Sequence, residues 1–264
     1  MRIDLSGKRA FVSGSTQGIG RAIAARLAAC GAATTINGRD SARVDAVLAE
    51  LRASQPDAHF EGVAADVATA EGADAVFSAL PEVDVLVNNL GIFGAVPLLE
   101  VDDALWQRYW DVNVMSAIRL TRGYIAGMRD RGWGRVQFMA SDSAVVIPEE
   151  MVHYGVTKTA LLGVSRGFAK VVAGSGVTVN AVIAGPTHTE GVESFVRELV
   201  GDELPWEEAA VAFVKEYRPT SLIQRLIEPV EIANLCAYLA SDLASATTGG
   251  AMRVDGGFVD NIVL

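Results

Sequence analysis

The chain has 264 residues, half of them hydrophobic and a fifth charged, a balance that suits a globular protein with a sizeable buried core. A formal charge of −10 and an isoelectric point near 4.8 argue against a nucleic-acid partner, because no basic excess exists to neutralise phosphates. No run approaches the ~18 apolar residues of a membrane span, the N-terminus lacks a signal-type apolar core, and Cys30 and Cys236 lack paired spacing. A cytoplasmic protein with two buried free thiols and no membrane contact is expected.

Short apolar runs alternate with longer amphipathic stretches, the pattern of a parallel α/β sheet. Strands are predicted at Arg9–Ser13, Ala33–Asn37, His59–Ala64, Val83–Val87, Arg135–Ala140, Val177–Val182 and Gly250–Val254. Helical patterns run over Arg21–Ala29, Ser41–Ala53 and Trp106–Met128. No linker, repeat or low-complexity segment divides the chain. The expectation is therefore one doubly wound Rossmann domain over 1–264, with about seven parallel strands and helices on both faces. The rhythm breaks at 190–228, where Val192–Val200 and Trp206–Tyr217 read as two short helices separated by Gly201 to Pro205. An insertion there sits at the carboxyl edge of the sheet, where ligands bind, and is expected to act as a substrate lid. Its Phe195, Leu199, Trp206 and Phe213 are expected to bury apolar surface only on closing.

Three motifs carry chemistry. Gly14, Gly18 and Gly20, spaced G-x-x-x-G-x-G, close the first strand and open a helix, the setting in which free backbone N–H groups bind a pyrophosphate. Tyr154 and Lys158, four residues apart on a predicted helix, put a phenol and an ammonium on one face, where the ammonium favours phenolate. Ser141 precedes the tyrosine by 13 residues, with Ser143 as a rival hydroxyl. Asp142 between them is expected to point away from the pocket and accept from nearby backbone. His59, His153 and His188 are too scattered for a metal site. His153 projects about 100° away from Tyr154 around the helix and is expected at the surface or behind the site rather than as a base. Glu149 and Glu150 suit the start of a helix.

Taken in order and spacing, Ser13–Gly20, Asp66, Asn88-Asn89-Leu90-Gly91, Asn113, Ser141, Tyr154-x-x-x-Lys158, Asn180–Gly185, Thr189 and Asp255-Gly256-Gly257 resemble the short-chain dehydrogenase/reductase family. The resemblance covers nearly the whole chain. It implies that Tyr154 gives or takes the proton on the substrate oxygen and that Ser141 hydrogen-bonds this oxygen. It further implies that Lys158 lowers the tyrosine pKa and holds the nicotinamide ribose, while Asn113 carries a water to the lysine. For the cofactor it implies Gly14, Ser15, Gln17, Gly18, Ile19 and Gly20 around the pyrophosphate. Asp66 and Val67 would lie beside adenine, Asn88, Asn89 and Gly91 beneath the adenosine ribose, and Gly185, Thr187 and Thr189 beside the carboxamide. Leu90 replaces the family's usual alanine, and Ala184-Gly185-Pro186 stands where Pro-Gly is typical.

NAD-preferring relatives carry an acidic residue where this chain has Gly38. Its absence, with Arg39 next, resembles the NADP pattern, and a guanidinium matches a 2′-phosphate. The expected protein is an NADP(H)-dependent oxidoreductase, with NAD the less suited cofactor, that interconverts a small carbonyl compound and a secondary alcohol and assembles as a homodimer or homotetramer. Two other readings stay open. One is a 3-oxoacyl-carrier-protein reductase, for which Arg129 and Arg131 would help to hold the acidic carrier. The other is a catalytically silent cofactor-binding regulator, against which the presence of Tyr154 and Lys158 speaks.

Overall fold

Apolar runs of four to eight residues cannot remain solvated, and in the computed structural model, which describes residues 2–262, they pair into a single sheet. Its strands are β1 (Arg9–Val12), β2 (Ala33–Gly38), β3 (Phe60–Ala64), β4 (Val85–Asn88), β5 (Gly134–Ser141), β6 (Val177–Ala184) and β7 (Ala251–Val254). All seven are parallel, in the order β3-β2-β1-β4-β5-β6-β7. β5 and β6 are buried at every position, as strands covered by helices on both faces must be.

The helices are α1 (Gly18–Ala29), α2 (Ser41–Ser54), α3 (Ala70–Ala79), α4 (Asp103–Trp110), α5 (Ser116–Asp130), α6 (Val152–Val171), α7 (Glu190–Val200), α8 (Trp206–Tyr217) and α9 (Pro229–Ala240). Ile23 and Leu27 of α1, Val44 and Leu48 of α2, and Ile232 and Cys236 of α9 fill one face of the sheet. Val76 of α3, Leu120 and Tyr124 of α5, and Leu161 of α6 fill the other. The doubly wound expectation holds. Of the two thiols, Cys236 is buried and Cys30 only half-buried.

Two departures bear on the site. The pattern expected over Trp106–Met128 is helical throughout but not uniformly so: a π-helical turn at Asp111–Met115 joins α4 to α5, and it carries Asn113. The insertion contains the expected pair of helices, but its apolar side chains are already packed. Phe195, Val196, Ala209, Phe213 and Val214 form a small core with Met151 and Leu226, while Leu199 and Trp206 lie half-buried against it. Burial of Phe195 and Phe213 thus needs no ligand, contrary to the expectation that they bury only on closing.

Candidate active site

The strand order reverses between β1's two neighbours, β2 and β4, and the crevice above such a point is where α/β sheets hold ligands. The loops leaving β1 and β4 are stitched together there. Ser13 Oγ accepts from the N–H groups of Asn89 (3.0 Å) and Leu90 (3.1 Å), and Asn89 Nδ2 donates to the carbonyls of Ser13 (3.0 Å) and Gly14 (2.9 Å). Gly14 has φ +60°, and a Cβ there would lie 2.9 Å from Leu90 Cα, so only glycine fits the stitched turn. At the start of α1, Gln17 makes no side-chain cap and the first turn carries no acid. Those N–H groups are free for an anion, which is the fit a dinucleotide's pyrophosphate requires.

From this turn one cleft of about 760 Å³ runs to Tyr154. It is lined by Gly14, Gln17, Gly18, Ile19, Gly20, Arg39, Asp66, Val67, Asn89, Gly91, Ser141, Tyr154, Lys158, Gly185, Thr187 and Thr189. Three expected residues stand apart from it. Ser15 is buried beneath the turn: its hydroxyl donates to Val12 O (2.7 Å), accepts from the Asn37 N–H (2.9 Å), and its own N–H binds Asn37 O (2.8 Å). That side chain braces the loop and does not line the cleft. Asn113 is also fully buried, with its amide engaged by Ile92 N–H (2.8 Å), Ile92 O (3.0 Å) and Thr157 Oγ1 (3.0 Å). Asn88 likewise turns inward and donates to Thr121 Oγ1 (3.0 Å).

At the far end, β5 delivers Ser141 and α6 delivers Tyr154 and Lys158. Lys158 Nζ donates to Met139 O (2.8 Å) and lies 5.6 Å from the Tyr154 ring centre. Burial pushes this lysine down to about 8, since nothing anionic faces it. Burial pushes the Tyr154 phenol up, the nearby Ser141 hydroxyl pulls it down, and Asp142 and Arg218 act in opposite senses. The expected lowering of the phenol by Lys158 is not met: burial dominates and moves the group the other way.

Asp142 corrects a second expectation. It does accept from backbone, the Ser143 N–H at 2.7 Å, but it lines the cleft, and its Oδ1 also takes the Ser141 hydroxyl at 2.8 Å. Ser143 and Met151 line the cleft as well. His153 is wholly buried, not at the surface, with its ring 4.3 Å from that of Tyr109 and edge-on to it. Phe93, edge-on to both Tyr154 (6.2 Å) and Phe195 (6.0 Å), links the insertion to the tyrosine.

Arg43 is a residue that sequence reasoning missed. It stands on the first turn of α2, four residues after Arg39, lines the same rim and donates to Gln17 Oε1 (2.9 Å), with Glu190 of α7 3.8 Å away across the cleft. A second basic residue in the first helical turn after Arg39 was the available signal. Among the described residues, no group of three or more His, Cys, Asp or Glu side chains is placed to hold a metal ion, and no helix is long and apolar enough to cross a membrane.

Comparison with known proteins agrees with this geometry. Residues 14–259 match a family model described as enoyl-(acyl carrier protein) reductase. An uncharacterized oxidoreductase of Bacillus subtilis, YvaG, is 47% identical over 99% of this chain and 100% of its own length. A 3-oxoacyl-[acyl-carrier-protein] reductase of Aquifex aeolicus is 30% identical over 97% of this chain and 99% of its own. The crystal structure of L-sorbose reductase from Gluconobacter frateurii, complexed with NADPH and L-sorbose, superposes with a TM-score of 0.92 at 35% identity, covering 99% of this chain and 100% of that one. The chain belongs to the short-chain dehydrogenase/reductase family. It is an oxidoreductase of the class that acts on carbonyl and alcohol substrates.

Proposed function

We propose that the protein is an NADP(H)-dependent reductase of a small carbonyl compound, working reversibly on the secondary alcohol. One observation carries the reading: a single cleft joins an uncapped, glycine-built helix start with two arginines on its rim to a Ser141–Tyr154–Lys158 cluster. A nicotinamide cofactor held along the cleft supplies or accepts the hydride. Tyr154, whose phenol keeps its proton at neutral pH, gives that proton to the substrate oxygen in the reductive direction. Ser141 holds the same oxygen, so both hydroxyls act on charge that develops there. Lys158 supplies positive charge behind the tyrosine and a donor for the ribose.

NADP is favoured over NAD by the chemistry of the rim. Arg39 is exposed there, and Arg43 stands beside it on Gln17. A side chain at Gly38 would put its Cβ 2.7 Å from Thr16 Cγ2, which leaves little room for the carboxylate that would read an unphosphorylated ribose. Arg39→Ala is expected to weaken NADPH about tenfold and NADH little, because a charge-assisted hydrogen bond is worth about 1.5–3 kcal/mol. Titration of both cofactors against wild type and variant checks this, and equal losses for the two would mean that Arg39 does not read the 2′-phosphate.

The carrier-protein reading has less support. Arg131 is held by Val83 O (2.8 Å) and Asp84 (3.6 Å), and Arg129 by Asp130 (3.4 Å), so neither presents an unpaired cation. We read the exposed Trp110, Val156 and Val171 on α4 and α6 as part of a homo-oligomer contact. A sedimentation mass of one chain would contradict that.

The insertion is read as a lid that moves as a packed unit. Slower hydrogen exchange over 190–228 with NADPH and a substrate analogue than without them is expected. Unchanged, strong protection in both states would mark a fixed wall of the pocket.

A further inference from the structure

Next to Ser141 lies a buried ion pair that the proposed reaction does not use. Asp142 comes from the turn after β5 and Arg218 is the residue that follows α8, so the pair joins the sheet edge to the insertion. Both are more than nine-tenths buried, yet both line the cleft. Arg218 Nε is 3.5 Å from Asp142 Oδ2, and neither atom has any hydrogen-bond partner among the described residues. The guanidinium lies between the rings of Phe213 (5.7 Å) and Phe258 (5.1 Å), which shield it from water. Its one described hydrogen bond runs from Nη1 to Tyr217 O (2.7 Å).

The other carboxylate oxygen is crowded with donors. Asp142 Oδ1 accepts from Ser141 Oγ (2.8 Å), the Ser143 N–H (2.7 Å) and Ser143 Oγ (3.3 Å). Three donors on one oxygen are the surroundings of an anion, and an anion this deep is tolerable only beside a cation. Ser141 Oγ also accepts from the Ser143 N–H (3.2 Å), so its oxygen is fixed between Asp142 and the turn, and its single hydrogen swings from Asp142 to the substrate oxygen when that oxygen arrives. A fold that needed only packing would fill these two positions with apolar side chains at lower desolvation cost.

We propose that Arg218 and Asp142 are positioning residues for Ser141. Arg218 is the counter-ion of Asp142, Asp142 holds the serine hydroxyl, and seating of the insertion thereby sets the rotamer of the serine that meets the substrate oxygen. This rests on the role given to Ser141 above. It goes beyond that role in making the insertion part of the catalytic apparatus rather than only a cover.

The test uses Asp142→Asn, Arg218→Met, the double variant and Arg218→Lys, each also in a Ser141→Ala background. Turnover of a carbonyl substrate with NADPH is expected to fall about tenfold or more in Asp142→Asn and in Arg218→Met, in kcat rather than in the KM for NADPH. The double variant is expected to lose no more than either single change, because the two act as one unit. Arg218→Lys is expected to recover most of the loss, and in Ser141→Ala none of the changes should reduce turnover further. Losses that multiply in the double variant, or that persist undiminished in Ser141→Ala, would overturn the proposal.

Should the wild type reduce no carbonyl compound, the failure lies with the proposed function, and thermal unfolding of the same proteins still decides the pairing. The double variant is then expected to melt above Arg218→Met, because the neutral amide no longer leaves a buried charge alone. Cycles of Asp142 with Arg218 and with Ser141 are both expected to be non-additive. Additive melting shifts in either cycle would overturn the chain of contacts.

Discussion

Tyr154→Phe is expected to reduce turnover about a hundred- to ten-thousand-fold, the range that a positioned general acid contributes. NADPH affinity should stay within a few-fold. The variant keeps the ring that packs edge-on to Phe93 and against the small core of the insertion, and it deletes only the hydroxyl. Because burial raises the phenol's pKa, the wild-type group holds its proton throughout the neutral range and is available as an acid for reduction. Steady-state rates with NADPH beside direct cofactor titration separate the two effects. Retention of a large share of the wild-type rate would place the proton donor elsewhere, among the Ser141, Asp142, Ser143, Lys158 and Arg218 side chains that line the same cleft.

Lys158 gives the second large effect, and it can be read without a substrate. Its folded value near 8 lies below the ordinary 10.5 because the ammonium is buried with only the Met139 carbonyl as partner. The unfolded chain therefore binds more protons than the folded one between those values, so the stability this group contributes rises as pH climbs from about 8 to about 10.5. Below pH 8 the charged form carries a cost of about 3 kcal/mol at most. Relative to wild type, Lys158→Met should thus lose up to about 3 kcal/mol of stability between pH 7 and pH 10.5. Denaturant unfolding at the two pH values checks it, and a pH-independent difference would mean that the lysine is not desolvated. The same variant is expected to lose turnover and NADPH affinity together, unlike Tyr154→Phe, since the ammonium would serve both the tyrosine and the ribose.

The frame of this site was legible because it rests on period and spacing. All seven strands appear within two residues of their expected ends, since an apolar run between turn residues has few other ways to be buried. The glycine turn and the Tyr154–Lys158 pair were legible because each depends on neighbours in sequence. What the sequence hid depends on contacts between distant segments. The π-helical turn inside the Trp106–Met128 pattern carries Asn113, whose amide is held at both ends by the Ile92 backbone, 21 residues upstream. Asp142 looked like a residue turned away from the pocket to nearby backbone because its cation, Arg218, lies 76 residues away, just past the second helical pattern of the insertion. The expected drop in the Tyr154 pKa failed for a related reason. Four-residue spacing shows that a lysine is near but not how far both groups are removed from water, and desolvation decided the sign. Ser15 belongs to the glycine motif, yet its side chain serves the fold.

The central claim is that this cleft binds NADPH in preference to NADH and passes its reducing equivalents to a carbonyl group through Tyr154. The most direct measurement follows the loss of NADPH and of NADH absorbance by wild type and Tyr154→Phe across a panel of ketoses, simple ketones and β-ketoesters. The predicted result is consumption of NADPH with at least one of these compounds, about tenfold or more ahead of NADH at equal cofactor concentration, and its disappearance in Tyr154→Phe. Consumption that persists undiminished in Tyr154→Phe, or that favours NADH, would contradict the account.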